Sequence, residues 1–85
     1  MKEFEKINKA DRNYEPEDLA FIQSLIDGRT EVVVKDEDGL LERGWRATKL
    51  GYDNDHFIKV SAISGDGTRM RLIDPDEFVR WQKEL

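Results

Sequence analysis

Apolar residues recur along this chain with two different periods, and the change of period divides it into elements. Between Pro16 and Asp27, Leu19, Ile22, Leu25 and Ile26 fall on one helical stripe with Phe21 at its margin, while Glu17, Gln23 and Ser24 face away. Pro16 suits a first helical turn, Glu17 and Asp18 complement the positive end of the dipole, and Gly28 offers a left-handed stop. The spacing predicts a helix over 16–27. After Gly28 the period drops to two. Thr30 to Lys35, with Val32-Val33-Val34, reads as a strand, followed by the turn Asp36-Glu37-Asp38-Gly39.

The next strand is predicted over 41–50, with Leu41, Trp45 and Ala47 on one face and Glu42, Arg46 and Thr48 on the other; Gly44 marks a bulge. Gly51 to Asp55 forms a second turn. Then His56 to Ser64 alternates Ile58, Val60 and Ala62 against Phe57, Lys59, Ser61 and Ile63. Ser64-Gly65-Asp66-Gly67 closes a hairpin into 68–73, where Met70 and Leu72 are read as inward and Arg69 and Arg71 as outward. Connections this short join antiparallel neighbours, since parallel strands need crossovers of roughly a dozen residues or more. Asp74-Pro75-Asp76-Glu77 opens a second helix over about 75–85, read as N-cap, first helical proline and capping box.

These elements define an α+β domain over 14–85, a four-stranded antiparallel meander between two helices. Ahead of it, residues 1–13 alternate charges around only Phe4, Ile7 and Ala10, and are expected to form a flexible charged arm. A long second strand containing Gly44 favours a strongly bent sheet, or one closed into a small barrel of the SH3-like or Sm-like kind. The alternative is an open sheet with both helices on one face. The expected core is Leu19, Ile22, Leu25, Ile26, Val32, Val34, Trp45, Ala47, Ile58, Val60, Ala62, Met70, Leu72 and Phe78.

Composition narrows the functions. Eighty-five residues leave room for one core. With no cysteine there is neither a disulfide framework nor a thiolate centre, and no apolar run suits export or a membrane span, so a cytoplasmic protein is expected. The net charge of −5, from 14 basic and 19 acidic residues, opposes tight non-specific adhesion to nucleic acid or anionic lipid.

Candidate chemistry is sparse. His56 is the single histidine and has no companion to complete a zinc site. Asp36 to Gly39 and Asp53 to Asp55 resemble calcium loops only in composition; their spacing is that of turns. Gly65-Asp66-Gly67 lacks the lysine and following helix of a phosphate loop, and no serine has a nucleophile context. No catalytic residue, metal or cofactor is assigned, and an enzyme is not expected.

One surface pattern stands out. Arg46, Lys59, Arg69 and Arg71 are read on the parity opposite to the core, a cationic stripe beside Phe57. Such a stripe can take an acidic protein segment or single-stranded nucleic acid, unless Glu31 and Glu42 neutralise it across the strands. The expectation is a small non-enzymatic binding or regulatory module whose partner is another protein. The alternative is a nucleic-acid-binding or transcription-linked regulator using the basic strand face.

Overall fold

The computed structural model describes residues 14–84. Helix α1 is Pro16–Asp27, followed by strands β1 Glu31–Lys35, β2 Leu41–Tyr52, β3 Ile58–Ile63 and β4 Met70–Ile73, and by helix α2 Pro75–Lys83. The strands form one antiparallel sheet in the order β1-β2-β3-β4. The chain is therefore α+β with a meander. The sheet is open, with β1 and β4 as its edges. The expected N-terminal arm, and Leu85 of the expected terminal helix, lie outside the described residues.

Both helices start at proline, but neither has a side-chain cap. The capping box read at Asp74 does not form, because the Asp74 carboxylate accepts from Lys59 Nζ at 2.5 Å instead. The stop of α1 is also shifted by one residue. Gly28 stays right-handed at φ −82°, and Arg29 takes the left-handed conformation at φ +53°. Thr30 N–H then reaches Leu25 O and Arg29 N–H reaches Ile26 O, the crossed pair of bonds of a Schellman motif.

Three Asp- or Ser-headed turns join the strands. In the first, Asp36 Oδ1 accepts the N–H groups of Asp38 and Leu40 at 2.9 Å, with Gly39 at φ +82°. The second repeats this plan: Asp53 Oδ1 accepts from Asp55 and Phe57 at 2.9 and 3.0 Å, and His56 stands at φ +66° where the first turn has glycine. In the third, Asp66 Oδ1 accepts from Ser64 Oγ, Thr68 Oγ1 and Thr68 N–H, and Ser64 Oγ accepts from Arg69 N–H. Of the carboxylates that suggested cation loops, Asp36 and Asp53 are thus committed to backbone donors.

Two irregularities bend β2. Val32 pairs with Trp45 and Val34 with Glu42, so β2 carries an extra residue there, and Gly44 adopts the φ of +87° that such a bulge requires. A second extra residue, Thr48, separates the Ala47–Ala62 and Lys49–Ser61 pairs. The first bulge reverses the parity of Glu42, which shares the inner face with Trp45 and not the outer face with Arg46.

Ile22 of α1 and Phe78, Val79 and Trp81 of α2 pack with Val32, Val34, Trp45, Ala47, Val60, Ala62 and Ile73 of the sheet. Leu19, Leu25 and Ile26 are half-buried, while Ile58 is buried as expected. Met70 and Leu72 are not in the core: they are 66% and 52% exposed. Ile63 pairs with Met70, Ala62 with Arg71 and Val60 with Ile73. Directly opposed residues share a face, so Arg71 and Ile73 join Ala62 and Val60 inside, while Met70 and Leu72 project outward with Ile63.

Candidate interaction surface

The cationic stripe expected from the sequence is divided between two faces. Arg46 and Lys59 remain on the outer face, whereas the register of β4 turns Arg69 and Arg71 to the rim of the inner face. Arg69 lies over the Trp45 ring, 5.1 Å from its centroid, and its guanidinium donates to Glu42 at 2.7 Å. Arg71 lies over Trp81 at 5.8 Å and donates to the backbone carbonyl of Lys35. Phe57 is exposed in the loop before β3, with its N–H held by Asp53. The structure therefore joins neither Arg69 nor Arg71 to Arg46 and Lys59.

The local electrostatics follow these contacts. Arg69 holds the Glu42 carboxyl below the usual range, with the nearby Trp45 indole N–H as a second cause although it completes no hydrogen bond; Glu42 raises Arg69 in return. The Asp74 carboxylate raises Lys59. Hydrogen bonds from Ser64, then Thr68, lower Asp66 to about 2, and the backbone N–H of Phe57 is the main cause lowering Asp53. Among the described residues no group of three or more His, Cys, Asp or Glu side chains could hold a metal ion.

What occupies the outer face is a set of cross-strand rows. Glu31, Arg46, Ile63 and Met70 form one; Lys49, Ser61 and Leu72 form the next; Gly51 and Lys59 form the third, beside Asp74. Basic residues lie toward β2 and apolar ones toward β4. Among the described residues Arg46 and Lys49 have no ion pair, although Glu31 stands directly opposite Arg46. Sequence reasoning missed Ile63, Met70 and Leu72 here. The outward parity of Ile63 was legible in the alternation of 56–64, whereas a signal for Met70 and Leu72 existed only in the hairpin register, because both parities of 69–73 carry apolar residues.

The two sheet edges differ. On β1, Val33 N–H donates to Gln82 Oε1 at 2.9 Å, and Gln82 Nε2 donates to Val33 O at 2.8 Å, so a carboxamide from α2 substitutes for a neighbouring strand. On β4, Ser64 N–H bonds Arg69 O, which makes Ser64–Arg69 a hydrogen-bonded pair. Antiparallel alternation then directs the backbone groups of Arg71 and Ile73 toward β3, and those of Met70 and Leu72 away from the sheet. Among the described residues, the N–H and C=O groups of Met70 and Leu72 have no backbone partner.

The chain matches no family model, no curated protein and no solved structure. No helix among the described residues is long and apolar enough to cross a membrane.

Proposed function

We propose that this protein is a non-enzymatic binding module that docks another protein against the β4 side of its outer sheet face. The observation that carries this reading is the pair Met70 and Leu72, two large apolar side chains 66% and 52% exposed beside Ile63 on a face that neither helix covers. Burying two such side chains contributes several kcal/mol at about 25 cal/mol per Å² of apolar area, enough to anchor a contact flanked by polar groups. Ser61, Lys49 and Arg46 supply that polar margin.

The experiment is site-specific photocrosslinking in the native host, with a benzophenone amino acid at position 70 or 72 and, as a control, at the exposed Phe21 of α1. Discrete protein adducts from positions 70 and 72, absent from position 21, are expected. Their absence, or the same adducts from all three positions, overturns the proposal. The alternative partner, single-stranded nucleic acid, would draw on Arg46, Phe57 and Lys59 without Arg69 and Arg71. Salt-sensitive amide shifts at those three residues on adding an oligonucleotide would favour it over the protein-docking reading.

A further inference from the structure

We infer that the docked partner joins as a fifth strand along β4, and that the occupant is an extended segment of a different protein with a single acidic residue between two apolar ones. This deepens the proposed docking surface and rests on it. The N–H and C=O groups of Met70 and Leu72 point away from β3 and have no backbone partner among the described residues, whereas the β1 edge is closed at Val33 by Gln82. An antiparallel strand that meets all four groups sets one residue opposite Leu72, the next opposite Arg71 and the third opposite Met70.

Each of the three is selected by what it faces. The first and third lie on the outer sheet face over Leu72 and Met70, 52% and 66% exposed beside Ile63, and are therefore apolar. The middle one stands opposite Arg71 in a non-hydrogen-bonded pair, where Cα atoms are about 4.5 Å apart and side chains approach most closely. Arg71 is exposed and has no ion pair among the described residues; its guanidinium donates to the Lys35 carbonyl and lies over Trp81, and neither contact neutralises its charge. An acidic side chain at this position is attracted, and a basic one is repelled.

The number of acids is limited by the cleft of about 550 Å³ between β4 and the β1–β2 turn, where Asp36, Glu37, Asp38 and Glu42 stand with Arg69 and Arg71. Glu42 already pairs with Arg69, and Asp36 Oδ1 accepts the turn N–H groups of Asp38 and Leu40. Glu37 and Asp38 are exposed, so water screens them, and direct contact with Arg71 outweighs their repulsion for one carboxylate. A second acid, opposite Arg69, would find that arginine taken by Glu42, so an uncharged residue is the complement there.

A second copy of this chain does not fit. Its own β4 offers Met70-Arg71-Leu72, apolar residues around a base, and sets Arg71 against its counterpart. No acidic residue of this chain has apolar neighbours other than glycine or proline on both sides, so no other segment of it supplies the matching triplet.

The test is an NMR titration of the full chain with a peptide of about eight residues, valine-glutamate-valine at its centre and uncharged polar residues elsewhere, beside a counterpart with lysine for glutamate and two N-methylated forms. Methylation at both valines removes the donors aimed at β4, whereas methylation at the glutamate removes one aimed away from it. Amide exchange at Met70 and Leu72 is expected to slow about tenfold at saturation with the glutamate peptide, while that of Val33 stays unchanged. Binding should weaken about fivefold for the lysine peptide and about tenfold for the valine-methylated form, and stay within about twofold for the glutamate-methylated form. Unchanged exchange at Met70 and Leu72, or equal binding of the two methylated forms, overturns strand addition. Equal or tighter binding of the lysine peptide overturns the acidic occupant. Adducts at positions 70 and 72 together with unchanged exchange would leave the docking face standing and remove only this inference.

Discussion

Single residues in this fold hold positions that their type does not prefer, and two of them give direct tests. Arg29 ends α1 at φ +53°, where a side chain strains the backbone by about 1–2 kcal/mol and glycine does not, although glycine costs more chain entropy on folding. Arg29 is exposed and has no ion pair among the described residues, so Arg29→Gly is expected to raise stability by about 0.5–1 kcal/mol, read from the urea midpoint at constant slope. Asp66 gives a pH test. Its carboxyl is lowered from 3.8 to about 2, first by Ser64 and then by Thr68. A carboxyl depressed in the folded chain favours folding when ionised. That contribution is present above about pH 4, and falls away as acid takes the pH from 3.8 toward 2 because the unfolded chain protonates first. The stability gap between the native chain and Asp66→Asn should therefore be wide at pH 6 and narrow at pH 2, measured by urea unfolding at both.

At the scale of elements, what was legible in the sequence depended on whether one parity alone could be buried. In β3 it could: Ile58, Val60 and Ala62 alternate with more polar neighbours, and the strand and its face follow directly. The α1 boundaries were equally legible, from Pro16 and the Leu19–Ile26 stripe. Over 69–73 both parities carry apolar residues and one carries two arginines, so only pairing with β3 through the Ser64–Arg69 bond decides that Ile73 turns in and Met70 and Leu72 turn out. The Gly44 bulge was visible, but not its consequence, which is to bring Glu42 to the inner rim where Arg69 meets it. The parity of 69–73 is what separates Arg69 and Arg71 from Arg46 and Lys59, which the alternation had placed in one stripe.

Gln82 was equally unreadable as an edge cover, because its role is set by how α2 lies along β1. Its carboxamide gives Val33 an acceptor and a donor at once, and the Val33 residue is only 2% exposed. Gln82→Ala leaves a buried N–H without a partner and should cost about 1–3 kcal/mol, with faster amide exchange at Val33. Gln82→Glu can still accept from Val33 N–H but brings no donor for Val33 O or Phe78 O, so it is expected to restore little of the loss. Recovery to native stability in the glutamate variant would mean that the donor half of the contact contributes nothing.

Across the whole molecule, an open four-stranded sheet must manage two edges, and this one treats them differently. At β1 the solution is a covering side chain. At β4 it is charge: the edge strand has four residues, and Arg71 stands where a second copy would place its own arginine. The same arginine reaches from one edge strand to the other, to the Lys35 carbonyl, and lies over Trp81 of α2, so it links the two edge strands, and its charge is expected to oppose self-pairing at β4. Arg71→Thr separates these roles. Loss of the tie lowers the unfolding midpoint, whereas loss of the guard lets β4 pair with β4 of another molecule through the Met70 and Leu72 backbone groups. The sedimentation coefficient of Arg71→Thr is therefore expected to rise with concentration while that of the native chain stays constant. Adding Leu72→Pro, which removes one of the edge donors, should abolish that rise without restoring the midpoint. If Arg71→Thr sediments like the native chain at every concentration, like-charge opposition is not what keeps this edge from pairing with itself, and the short length of β4 alone suffices.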